Sequence, residues 1–133
     1  MIHTDGSIGV SCPSSVAGNN YYLKINHRNT VETWSALPVR LDSTIVYDFT
    51  SGASQSYGEN MADLGDGNWG FYTGDMNQDQ SIDIFDFSKY DYDVSQFAFG
   101  YYDTDLNGDG SVDIFDFPVF DQNCAGFIFS MHP

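Results

Sequence analysis

A chain of 133 residues that is 41% hydrophobic, with 11 Phe and 9 Tyr, holds enough apolar material for one compact domain and is not a low-complexity polymer. Four Lys and Arg stand against nineteen Asp and Glu, a formal net charge of −15, which removes the basic footprint that nucleic acid or an anionic membrane surface would require. No apolar run reaches the length of a bilayer span, so membrane insertion is not expected.

In chain order, MIHTDGSIGV lacks the basic and apolar regions of a signal peptide, and HTDGSIGV at 3–10 has the composition of a strand. Cys12 and Cys124 are the only cysteines; they are candidates for a disulfide joining the two ends, or for two separate thiols. YYLKINHR (21–28) alternates, with Leu23, Ile25 and His27 on one face. VETWSA (31–36), PVRL (38–41), TIVYDFT (44–50) and NWGFYT (68–73) continue in β-rich composition. Asn29–Thr30, Asp42–Ser43, Ser51–Gly52 and Gly65–Asp66–Gly67 interrupt them as turns. Short strands at this interval predict a mainly-β fold, an Ig-like or Greek-key antiparallel β-sandwich over residues 1–73.

From Gly74 the texture becomes loop, short helix, loop, short helix. Phe87, Tyr90, Val94 and Phe97 fall on one helical stripe. Phe117 and Phe120 repeat its start, and Pro118 sits where a first helical turn tolerates it. The last ten residues, 124–133, form an apolar, β-prone tail expected to pack on the sandwich or on a neighbouring subunit.

The acids concentrate in this second half. All twelve between Asp75 and Asp121 are Asp, and the phrase SIDIFDF at 81–87 returns as SVDIFDF at 111–117. Aligned on its first Asp, each copy carries oxygen-bearing side chains at positions 1, 3, 5, 7, 9 and 12. The first set is Asp75, Asn77, Asp79, Ser81, Asp83 and Asp86; the second is Asp105, Asn107, Asp109, Ser111, Asp113 and Asp116. This is the ligand spacing of a twelve-residue calcium loop, in which position 7 serves through its backbone carbonyl and position 9 often through water. Zinc or copper would call for His or Cys, and His3, His27 and His132 are scattered. Two Ca²⁺ are therefore the expected cofactors, and they would bring the formal charge from −15 to −11. Ile82 and Val112 at position 8 suit a short β contact between the paired loops. Position 6 favours Gly; Gly110 provides it in the second copy, whereas the first has Gln80. Position 12 is Asp in both copies, unlike the Glu of calmodulin-like sensors.

The D-x-N-x-D-x-x-[IV]-D-x-x-D pattern, twice at an interval of thirty over roughly 74–123, resembles the dockerin repeat of bacterial extracellular proteins. NYYLKINHRNTVETWSA, VYDFTSGASQSYG and GNWGFYTGDMNQD resemble a module near the carboxy terminus of large secreted Bacteroidota proteins, where a small β-sandwich passes into a dockerin-like calcium pair. The resemblance implies a secreted, calcium-stabilised, non-catalytic module with those twelve residues as calcium positions. Dockerins commonly present small polar residues at positions 10 and 11, where cohesins bind; here these places hold Ile84–Phe85 and Ile114–Phe115. The plain reading packs the two pairs between the loops or onto the sandwich, and the sharper one makes them a duplicated docking surface.

His27–Arg28–Asn29 reads as a turn held by side-chain hydrogen bonds before it reads as a glycan or catalytic constellation. Trp34 and Trp69 suit a sandwich core or, less directly, a sugar platform. The expectation is thus an extracellular, non-catalytic assembly module that joins protein to protein at a bacterial surface. One form is a self-assembling filament subunit exchanging a terminal strand. The rival is a carbohydrate-binding or cohesin-docking module of a secreted polysaccharide-degrading protein.

Overall fold

A computed structural model describes residues 7–42 and 44–133. Among the described residues the expected sandwich is absent. They contain, in the first half, three antiparallel ladders of two residues per strand: β1 (Asn20–Tyr21) with β4 (Val39–Arg40), β2 (Lys24–Ile25) with β3 (Thr33–Trp34), and β5 (Ala62–Asp63) with β6 (Trp69–Gly70). With the two helices of the second half, the molecule is a small mixed α/β fold. The predicted strand over 21–28 is split between two ladders, and residues 44–50 form none.

The physical reason lies in local polar bonding. Asp48 accepts from both the backbone N–H and the hydroxyl of Thr50, at 2.8 and 2.7 Å, which turns the chain where a strand was expected. Val46 is 92% exposed, and on the opposite side Tyr47 and Phe49 are half-buried, with Phe49 edge-on to Phe71 at 5.7 Å, so the segment packs through isolated ring contacts and not through a ladder. The buried residues here are largely small and polar: Thr33, Ser35 and Ser56. The Ser35 hydroxyl accepts from the Leu23 N–H at 3.0 Å and donates to the Leu37 carbonyl at 2.9 Å, stitching the ladders without a continuous sheet. Residues 3–6, half of the segment 3–10, lie outside the described residues.

The second half follows its sequence signals closely. Helix α1 (Ile84–Ser95) starts at Asp83, whose carboxylate accepts from Phe85 N–H while Asp86 accepts from Asp83 N–H, a reciprocal capping box. Helix α2 (Phe117–Ala125) starts with Pro118 in its first turn. The helices pack through Phe87, Tyr90, Phe117 and Phe120, whose ring centroids lie 5.9 to 6.2 Å apart. Met76, Ile82, Ala98 and Val112 complete this core, to which Val31 is the first half's buried contribution. Phe97, the predicted end of the stripe, lies beyond α1 in the left-handed region at φ 53° and is 90% exposed. No helix among the described residues is long and apolar enough to cross a membrane.

The structural repeat outlasts the acidic motif. A thirty-residue offset relates 74–103 to 104–133, including Phe97 to Phe127 and Phe99 to Phe129, and Phe127 has the same left-handed backbone at φ 52°. Each loop pairs with the segment that leaves the other copy's helix. Ile82 N–H donates to the Ile128 carbonyl at 2.8 Å, and Val112 N–H to the Ala98 carbonyl at 3.0 Å. The backbone partner of each position 8 is therefore a helix exit, where direct pairing of Ile82 with Val112 was expected. The tail is the end of the second copy: Phe129 bridges Ser81, Ser130 Oγ donates to the Glu32 carbonyl at 2.7 Å, and Met131 covers Gly58. At Gly58 an added Cβ would come within 2.4 Å of the Met131 sulfur, and φ is 67°, so both space and conformation call for glycine.

Candidate metal centre

The two loops have nearly the same internal hydrogen bonding, residue for residue. In the first, Asp86 at position 12 accepts from Met76 and Asn77 N–H on Oδ1, at 2.7 and 3.0 Å, and from Asp83 N–H on Oδ2 at 3.0 Å. In the second, Asp116 accepts from Leu106 and Asn107 N–H at 2.7 and 3.0 Å and from Asp113 N–H at 2.9 Å. Position 1 is similar. Asp75 takes N–H groups of Asp79 and Gln80, each at 3.1 Å, and Asp105 takes those of Gly108 and Gly110 at 2.8 and 3.1 Å. Asn77 and Asn107 each accept from the N–H two residues on, at 2.8 Å. Asp79 and Asp109 do the same for Ser81 and Ser111, at 3.1 and 2.8 Å. The alternation of oxygen side chains and turning backbone explains why short Asp and Asn, rather than Glu and Gln, fill these places.

Each loop is a cup with a buried floor and an open rim. The floor carboxylates Asp75, Asp86, Asp105 and Asp116 are at most 4% exposed, whereas Asn77, Asp79, Asn107 and Asp109 face solvent. Ser81, Asp83, Ser111 and Asp113 lie between these extremes. Among the described residues the ion pairs are Lys24–Glu32, Arg40–Asp42 and Lys89–Asp103, so no Lys or Arg side chain neutralises a loop carboxylate. Burial, with added like charge from Asp86 and Asp79, raises the Asp75 carboxyl to about 6 against the opposing N–H donation of Gln80 and Asp79. Burial likewise raises Asp86.

The donor set is all oxygen, mixed between carboxylate, amide, hydroxyl and backbone carbonyl, which fits a hard cation such as Ca²⁺. Among the described residues no three Asp, Glu, His or Cys side chains are grouped so as to hold a metal by themselves. Asn, Ser and backbone oxygens would have to complete either shell, as the loop pattern requires.

Other sequence candidates are dispersed. Cys12 is exposed and Cys124 lies on α2; the two are separate free thiols, one of the two alternatives the sequence leaves open. Trp34 is half-buried, with His132 edge-on at 6.1 Å and the Lys24 ammonium 5.5 Å from its ring, an arrangement unlike an open sugar platform. Trp69 sits half-buried in β6. The Ile-Phe pairs do not pack inward: Ile84, Phe85, Ile114 and Phe115 are 65 to 72% exposed. Phe97, Phe99, Phe127 and Phe129 extend this exposed apolar set, and their recurrence at the thirty-residue offset was the sequence signal for it.

The His27–Arg28–Asn29 turn, far from the loops in sequence, reaches the second one. Arg28 Nη2 and Asn29 Nδ2 donate to the Asp105 carbonyl at 3.3 and 3.4 Å. Nothing local in the sequence signals a contact across 76 residues.

Comparison with known proteins supplies no family: no family model matches the chain, and no curated protein or solved structure matches it.

Proposed function

We propose that this chain is a non-catalytic calcium-binding structural module that works outside the cell, joining protein to protein at a surface. Each loop holds one Ca²⁺, with positions 1 and 12 as its floor and positions 3 and 5 as its rim. The observation that supports this reading most is the pair of buried carboxylates in each loop, Asp75 with Asp86 and Asp105 with Asp116, without a cationic side-chain partner. A buried anion needs a counter-charge, and a cation entering from the open rim supplies it. When bound, the ions neutralise the loops and tie each helix start to its loop; the residues themselves orient the oxygens through the backbone N–H network.

Association is supported by the exposed Ile84–Phe85 and Ile114–Phe115 pairs, large apolar side chains that both copies turn to solvent and that an assembly would bury. Self-association, including head-to-tail filament growth, is the form we propose, with the −15 charge partly neutralised by calcium.

Calorimetric titration should give a stoichiometry of two Ca²⁺ per chain. Analytical ultracentrifugation with calcium should show oligomers that Phe85→Ser with Phe115→Ser dissociates. Absence of calcium uptake defeats the metal assignment. A strictly monomeric species at high concentration with calcium present defeats the assembly assignment.

A further inference from the structure

The backbone carbonyl of position 1 needs a donor in each loop, and the two loops find it differently. In loop one Gln78, at position 4, donates its side-chain amide to the Asp75 carbonyl at 2.8 Å and reaches the Thr30 carbonyl at 3.5 Å. In loop two position 4 is Gly108, which has no side chain, and the Asp105 carbonyl accepts instead from Arg28 at 3.3 Å and Asn29 at 3.4 Å. Asn29 is 4% exposed, and His27 Nδ1 stands 3.1 Å from its Oδ1, which sets the edge of the amide that faces Asp105. The Arg28 guanidinium carbon lies 4.1 Å from the centroid of the Tyr101 ring, which precedes the loop.

The other side of the same peptide group is also held. Its N–H, on Leu106, donates to Asp116 at 2.7 Å. The peptide joining Asp105 to Leu106 is thus pinned between the first half of the chain and position 12 of its own loop. If it rotates, the carboxylates at positions 1 and 12 both lose their placement.

We propose that the His27–Arg28–Asn29 turn is a positioning device for loop two, so that loop two binds its cation only as tightly as the Arg28 and Asn29 side chains are docked, while the position-1 carbonyl of loop one has its own side-chain donor in Gln78. This rests on the calcium reading above. By linkage, a cation in loop two favours the docked turn to the same extent. The two repeats therefore differ at this carbonyl: loop one supplies a side-chain donor of its own, and loop two takes its donors from Arg28 and Asn29.

The test uses the full chain with loop one silenced by Asp75→Asn and Asp79→Asn, titrated calorimetrically with Ca²⁺ alone. Arg28→Met with Asn29→Ala should raise the loop-two Kd about tenfold, the loss expected for a buried hydrogen bond. Gly108→Gln added to that chain should recover most of it. Glutamine is already accommodated at the equivalent Gln78 with φ 61°, and no atom lies within 4 Å of a Cβ built on Gly108. Electrostatics alone predicts the opposite sign, because removing the Arg28 charge would tighten a cation site. Unchanged or tighter binding in the double variant overturns the proposal. In the reciprocal chain, with Asp105→Asn and Asp109→Asn, the same double variant should leave the loop-one Kd within about twofold. Should the double variant fail to fold, the backbone amide resonances of 28–31 are followed in the chain with only loop one silenced. They should move as Ca²⁺ fills loop two, and resonances that stay still during saturation overturn the proposal. Failure of the unsubstituted chain to take up Ca²⁺ at all refutes the metal assignment itself and is read from the same titration.

Discussion

Residues 7–73 and residues 74–133 reach order by different means. The first half stitches two-residue ladders with isolated polar contacts, such as the Ser35 hydroxyl and the Tyr47 hydroxyl, which donates to the Gln55 carbonyl and accepts from Ala36 N–H at 3.1 Å. The second half repeats one unit in which turn, cap and core residue are set by a single thirty-residue pattern. Scattered bonds tolerate the loss of one member, whereas a carboxylate that holds three N–H groups does not. The lesson is that the repeated half concentrates its stability in few residues, and the first half spreads it over many.

The largest expected effect comes from removing the metal. With Ca²⁺ about a hundredfold above Kd, each ion adds ~2.7 kcal/mol, so a chelator should lower the unfolding temperature by roughly 15 °C. Hydrogen exchange should show the loss first in 74–133. Equal loss in the ladders would mean that the halves form one cooperative unit.

Next is the floor of the loops. Asp86→Ala and Asp116→Ala each strand three N–H groups and should cost about 3 kcal/mol in urea unfolding, whereas Ser35→Ala should cost ~1 kcal/mol. A comparable cost for Ser35→Ala would erase the contrast.

The pH dependence of the chelated protein sharpens it further. The Asp75 carboxyl is raised by burial to about 6 in the fold, above its ordinary value of 3.8, so the folded state holds the proton more tightly than the unfolded chain. Asp86 is raised in the same sense. The Asp75 contribution to metal-free stability is fully present below pH ~4 and is lost as pH rises through about 6, and that of Asp86 declines in the same direction. Thermal unfolding of the chelated chain from pH 4 to 7 should show this decline, and excess calcium should reverse it, because the ion favours the ionised carboxylates.

The smallest effect separates the two copies. Gln80 occupies position 6 at φ 78°, where the second copy has Gly110 at φ 87°. Gln80→Gly should stabilise the chain by ~0.5–1 kcal/mol, and Gly110→Gln should destabilise it by ~1 kcal/mol. Nothing lies within 4 Å of a Cβ added at Gly110, so the cost there is conformational and not steric. Opposite signs in chemical denaturation would show that both loops demand the same left-handed backbone at this position, and shifts of the same sign would show that they do not.

The legibility of the chain divides along the same line. In the repeated half, Pro118 marks the second helix start, and Phe87, Tyr90, Phe117 and Phe120 form the helix interface, whereas the capping box of Asp83 and Asp86 emerged only with the structure. In the first half, β-rich composition predicted short strands assembled into a sandwich, but Asp48 and Thr50 bonded locally and each pairing stopped after two residues. Composition reports what a segment tolerates; it does not report whether a continuous partner exists for it.

By itself the sequence determined the two oxygen-rich loops, their spacing and the helices that follow, because those features depend on contacts within about twelve residues and on turn chemistry that Asp, Asn and Gly carry wherever they stand. Only the tertiary structure decided which backbone each loop pairs with, that the Ile-Phe pairs face outward, and that His27–Arg28–Asn29 holds the Asp105 carbonyl. These depend on which distant segments come together, and the cost of closing such long loops is offset only by the sum of many contacts, none of which is written in any one stretch of the chain.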